Sequence, residues 1–260
     1  QPVKPQNGDI CFEHVTFKNM KVKSPASAGG LIGNLGRRAP LGRGTNATVA
    51  DDIAILIQPN PGEQTTYVSC SFTNCRYSNL TVQGKEVAGG FCGYIDGKIP
   101  LLKSSLTVTE DDFYVGKDSS ITASADDSLA GGLFGYVRRN VAVNAATGVK
   151  TAKWQSVDVT AGRYAGGLIG QIYTDHTGCL YQISNVQFSG TESKKNVVQG
   201  TASGDIYAGG IVGKVTSYSG NNIISQCEVE NVEINTEALV SVNRQNIRAG
   251  GIVGQVDMGL

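Results

Sequence analysis

The octet AGGLIGNL, Ala28–Leu35, recurs five more times along the chain. The copies are AGGFCGYI at 88–95, AGGLFGYV at 130–137, AGGLIGQI at 165–172, AGGIVGKV at 208–215 and AGGIVGQV at 249–256. Start-to-start spacings are 60, 42, 35, 43 and 41 residues, a range that marks solenoids, propellers and arrays. The repeat glycines are Gly29, Gly30 and Gly33; Gly89, Gly90 and Gly93; Gly131, Gly132 and Gly135; Gly166, Gly167 and Gly170; Gly209, Gly210 and Gly213; and Gly250, Gly251 and Gly254. Glycine takes a left-handed corner without steric cost and lets a second backbone approach closely. Both readings make these glycines structural, and the first predicts a column of corners. Adjacent apolar residues follow each glycine pair. Strict alternation sends one of the two outward: Ile32, Cys92, Phe134, Ile169, Val212 and Val253. A bend at the third glycine turns both inward; without it, an apolar stripe runs along the array as an association surface.

Between the octets lies a second pattern. It is clearest in HVTFKNMKV (14–22), SCSFTNCRY (69–77) and QCEVENVEI (226–234), and weaker from 105, 156 and 185. Aligned, these give one apolar column of Val15, Cys70, Leu106, Val157, Val186 and Cys227. Two residues on is a second column of Phe17, Phe72, Val108, Val159, Phe188 and Val229. A spacing of two places both on one face of a strand. A third column, Asn19, Asn74 and Asn231, suits turn positions and a side-chain ladder.

The expected fold is all-β: a single right-handed parallel β-helix with about two coils per 41–43-residue repeat and a loop insertion after the first octet. The right hand follows the general crossover preference. Residues 1–9 read as a linker-like lead-in and 10–260 as the repeat domain, expected to be a fragment of a larger protein. The insertion falls in NLGRRAPLGRGTNATVADD from Asn34, and VQGTASGD from Val198 reads as a smaller loop.

Lys plus Arg equals Asp plus Glu at 22 each, which leaves no basic footprint for nucleic acid. No apolar run is long enough to span a bilayer as a helix; the longest, within 52–59, reads as a buried strand. The six cysteines at 11, 70, 75, 92, 179 and 227 form no Cys-x-x-Cys pair. Several occupy positions where other repeats carry Val, Leu or Ile, so they read as small buried hydrophobes. Neither a metal nor a cofactor is implied.

Octets such as YAGGLIGQI and YAGGIVGKV, followed by ISNVQF or ISQCEVENV, make most of the chain resemble the GLUG-type repeat of bacterial cell-surface proteins. A looser likeness links it to polymorphic outer-membrane autotransporters, whose order of Gly-Gly-Ala and Phe-x-x-Asn differs from the Ala-Gly-Gly and Phe-x-Asn found here. Both resemblances imply exported, non-catalytic β-helical stalks or adhesins whose partners are extracellular proteins or glycans.

The competing class is a polysaccharide lyase or hydrolase on the same fold. Paired carboxylates could do acid–base work, and pairs occur at Asp51–Asp52, Asp111–Asp112 and Asp126–Asp127. They sit in unaligned, loop-like places and read as solvated charges. Arg37, Arg38 and Arg43, with Arg138 and Arg139, follow the first and third octets and are the candidate patch for an acidic glycan. Asn46 and Asn79 head glycosylation sequons.

Overall fold

A computed structural model of the protein describes residues 8–35, 68–95, 101–106, 114–138, 141–145, 151–174, 181–217, 222–236 and 246–258. Among them the chain is all-β and holds no helix, with parallel sheets of twelve, six and six strands. The first strand, Gly8–Glu13, takes in the last two residues of the stretch read as a lead-in. The insertion from 36 onward and the apolar run 52–59 lie outside the described residues, as does Cys179. Of the expected loop from Val198, the first three residues instead close a strand, Asn196–Gly200.

The octets build the two six-stranded sheets. In one, Ala28, Ala88, Ala130, Ala165, Ala208 and Ala249 stand side by side in successive strands. In the other, the same holds for Ile32, Cys92, Phe134, Ile169, Val212 and Val253. Each octet therefore bonds directly to the next octet, with no other strand between. This corrects the expectation of two coils per repeat: each repeat contributes one layer. The twelve-stranded sheet takes the remaining strands, so every layer passes once through all three sheets.

The reason lies at the corners. His14, Asn19, Asn74, Asn79, Asp118, Ser156, Asn185, Gln226 and Asn231 all have φ between 48° and 56°. Asn and Asp tolerate this left-handed region best among non-glycine residues. In the first, second and last layers two such corners five residues apart, at 14 and 19, 74 and 79, and 226 and 231, break the half-repeat into short straight pieces; Asp118, Ser156 and Asn185 each mark one corner in the layers between. None of the octet glycines is left-handed, so the expected column of glycine corners is a column of asparagine-like corners placed elsewhere.

Five-residue spacing also shifts the expected columns. Phe17, Tyr77, Gly116, Trp154, Phe188 and Val229 form one file across the layers. Phe72 belongs one step earlier, beside Phe12, and Val159 one step later, beside Ile121. Asn74 likewise stands with His14, while Asn79 stands with Asn19 and donates from Nδ2 to its Oδ1 at 2.9 Å.

One continuous core joins residues of all three sheets. Phe72 from the large sheet lies 5.4 Å from Phe91 and 5.8 Å from Phe134, ring centre to ring centre. Gly116, between Tyr77 and Trp154 in its file, leaves room for both rings; a Cβ there would lie 2.7 Å from the Trp154 ring. The Tyr77 hydroxyl, fully buried, donates to the Gly132 carbonyl. Burial pushes its pKa far above the ordinary phenol value.

Both apolar octet columns face inward. Phe91, Cys92, Leu133, Phe134, Leu168, Ile169, Ile211 and Val212 have no exposed surface. The bend that permits this is visible in the backbone: the amides of Leu133 and Phe134 both donate to one acceptor, the Leu168 carbonyl, at 2.8 and 3.0 Å. The same doubled bond recurs from Leu31 and Ile32 to Phe91, and from Ile211 and Val212 to Ile252. An apolar stripe on this column is thereby removed from the surface of the inner layers.

Candidate functional site

The octet glycines lie against backbone rather than around an open space. Outside the terminal positions Gly33 and Gly251, a Cβ on any of them would press into a neighbouring main-chain atom. On the first glycine of each octet it would meet the carbonyl three residues on; on the second, the glycine carbonyl of the next layer. They bring strands together and present nothing to a ligand.

The arginine patch is not assembled among the described residues. Arg138 ends an octet strand, half-buried, while Arg37, Arg38, Arg43 and Arg139 lie outside the described residues. So do Asp51–Asp52, Asp111–Asp112 and the Asn46 sequon. Asp126 and Asp127 are exposed and each has a tying role: Asp127 pairs with Arg163 at 2.9 Å, and Asp126 accepts from Ser203 Oγ. Cys75 and Cys92 are buried thiols and Cys227 a half-buried one, each outside any disulfide. Burial raises the thiol pKa of Cys75 and Cys227. Such thiols are poor nucleophiles. No cluster of three or more His, Cys, Asp or Glu that could hold a metal occurs among the described residues, nor does any helix long and apolar enough to cross a membrane.

Two outward features come from register, and neither was visible in any single motif. The first is a ladder on the octet face. Tyr164 and Tyr207, each preceding an octet alanine, stack at 5.4 Å with rings 10° from parallel. Lys214 Nζ lies 4.6 Å from the Tyr207 ring centre and 2.8 Å from the Asp257 carboxylate. Burial opposes the Lys214 charge, but the Asp257 hydrogen bond and the neighbouring tyrosines outweigh it and raise the pKa. The Asn246 amide, donating at 2.9 Å, holds the Asp205 carboxyl below the usual carboxylate range, helped by the Tyr207 hydroxyl. Lys214 and Arg163 each face a carboxylate, and the stacked rings cover one another. The ladder therefore serves to clamp layers together.

The second is an open groove of about 610 Å³ where the large sheet turns toward the first octet sheet. It crosses three layers: Lys23, Ser24 and Pro25, then Gln83 and Lys85, then Thr122 and Ser124. Lys23, Gln83 and Thr122 come from one outward file, so the groove runs along the stacking direction. Among the described residues its polar groups are ammonium, amide and hydroxyl, without a carboxylate. Comparison with family models, curated proteins and solved structures finds no match to this chain.

Proposed function

We propose that the chain is a right-handed parallel β-helix of an exported, cell-surface protein, acting as a non-catalytic stalk that binds an extracellular glycan along one face. The groove from Lys23 to Thr122 carries the reading. A linear polymer can lie along the layers there, meeting repeated hydroxyl and amide groups with a lysine in each of the first two layers. Ammonium groups without a carboxylate in the lining favour an acidic chain over a neutral one. The residues that pack the stack face inward and recur from layer to layer, whereas the outward positions vary, as suits a scaffold displaying a surface. The likeness of the octets to surface-protein repeats supports the same setting.

A glycan array paired with a reducing-sugar release assay on the same polysaccharides tests this. The expected result is retention of acidic glycans without release. Lys23→Ala combined with Lys85→Ala should weaken binding about tenfold, equivalent to about 1.4 kcal/mol, with unchanged far-UV circular dichroism. Release of sugar ends would overturn the non-catalytic reading, and equal binding by the double variant would overturn the groove.

A further inference from the structure

The groove from Lys23 to Thr122 is one stretch of a longer polar track. The outward file that supplies Lys23, Gln83 and Thr122 continues through Thr160 to Gln199. Gln83, Thr122, Thr160 and Gln199 are half-buried, so each keeps part of its surface toward solvent. The strand neighbours that alternate with them, Val82, Ile121, Val159 and Val198, are fully buried. The five members of the file carry an ammonium, an amide, two hydroxyls and an amide, and none is a carboxylate. They pair directly in the parallel ladder, so these groups follow one another at the strand spacing of about 4.8 Å.

Both flanks suit an acidic chain. Two residues back along the strands, on the same face, stand Thr81, Ser120 and Asp158. The charge of Asp158 is met within the protein: one oxygen accepts from the Val197 amide at 3.0 Å and the other lies 3.8 Å from Lys194 Nζ. On the other flank the corner closes beyond Ser124. A Cβ on Gly162, two residues past Thr160, would press into the carbonyls of Ala125 and Asp126. Asp126 is exposed there, and its partner is the neutral Ser203 hydroxyl. The corner wall of the groove thus gives way to a carboxylate, while the file on the sheet carries on. An acidic polymer leaving the groove is turned away from the corner and kept on Thr160 and Gln199.

We infer that the track from Lys23 to Gln199 holds a linear, 1→4-linked chain of uronic acids with one sugar per layer, an inference that rests on the glycan-binding reading. A straight 1→4-linked chain advances per sugar by close to the strand spacing, so successive rings meet successive layers in one register. A coiled or branched chain drifts out of it. Its carboxylates suit Lys23 and Lys85; its ring hydroxyls suit the amide and hydroxyl groups, which both donate and accept.

Calorimetric titration with uronic acid oligomers of three and of five sugars tests this. Five sugars should bind about tenfold more tightly than three, because the two added rings reach Thr160 and Gln199. Thr160→Val and Gln199→Leu, each at unchanged circular dichroism, should weaken five-sugar binding about threefold and leave three-sugar binding as it was. A neutral 1→4-linked glucan of five sugars should bind about tenfold more weakly than the acidic one; equal binding overturns the acidic class. If three sugars bind but five gain nothing, or if both variants leave five-sugar binding unchanged, the track is overturned and the groove stands. If neither oligomer binds, the glycan reading falls together with the track.

Discussion

The octet glycines show how a residue can be read correctly for its class and wrongly for its cause. Glycine has two structural uses, a left-handed corner and a missing side chain, and only the second operates here. The sequence alone could not separate them, because both place glycine at a fixed point of a repeat. The missing side chain has a measurable consequence. A Cβ on Gly167 would overlap the Gly210 carbonyl and lie 2.8 Å from the Phe188 ring. Backbone on one side and a packed ring on the other leave little room to yield, so Gly167→Ala should cost about 3 kcal/mol. Gly251→Ala, at the same octet position in the last layer, should change stability by less than about 0.5 kcal/mol. Urea denaturation at dilute concentration checks the pair. Equal losses would mean that glycine acts through the flexibility of the unfolded chain rather than through interlayer contact.

At the scale of elements, the octets were legible and the half-repeats only in part. An octet has one internal order, and its six copies align in only one way; the strand registers follow that alignment throughout. The other half-repeat carries a motif of ring, any residue, corner and apolar residue that comes round every five positions, as in Phe72 to Cys75 followed by Tyr77 to Leu80. A five-residue slip then aligns almost as well as the true register, which is why Phe72 and Asn74 are misplaced by one step while Phe17, Phe188 and Val229 are not. The groove was illegible for a related reason: Lys23, Gln83 and Thr122 belong to three repeats and meet only once the register is known. The doubled amide bond at the first five octet bends resolves the remaining ambiguity, the direction of the Ile32 column, and predicts its cost. Phe134 has no exposed surface and touches Phe72 across the core. Phe134→Ala should therefore lower stability by about 4 kcal/mol, whereas an outward residue would cost little. A denaturation midpoint unchanged within error would return that column to the surface.

For the whole molecule, stability runs along the stack, because each layer contacts mainly its neighbours. The attachment of the last described layer, residues 222–258, has a pH signature. Two carboxylates tie it to the layer before. Asp205 accepts from the Asn246 amide at 2.9 Å, and Asp257 pairs with Lys214 at 2.8 Å. The Asn246 amide lowers the Asp205 pKa; Lys214, then Gln255, lowers that of Asp257. A carboxylate whose folded pKa lies below its unfolded value adds stability that is present above the ordinary carboxylate range. That contribution is lost as pH falls through the folded pKa. Acid should therefore loosen the last layer from the one before it while the interior layers hold. The interior octet strands are joined to one another by backbone bonds. Amide exchange, corrected for the intrinsic effect of pH, should show protection of 247–258 falling as pH is lowered from neutrality to about 2, below the ordinary carboxylate range. Protection of 129–137 and 164–172 should hold. Asp205→Asn with Asp257→Asn should abolish the difference, because neither amide titrates. A uniform loss across all layers would show instead that acid unfolds the array as one cooperative unit.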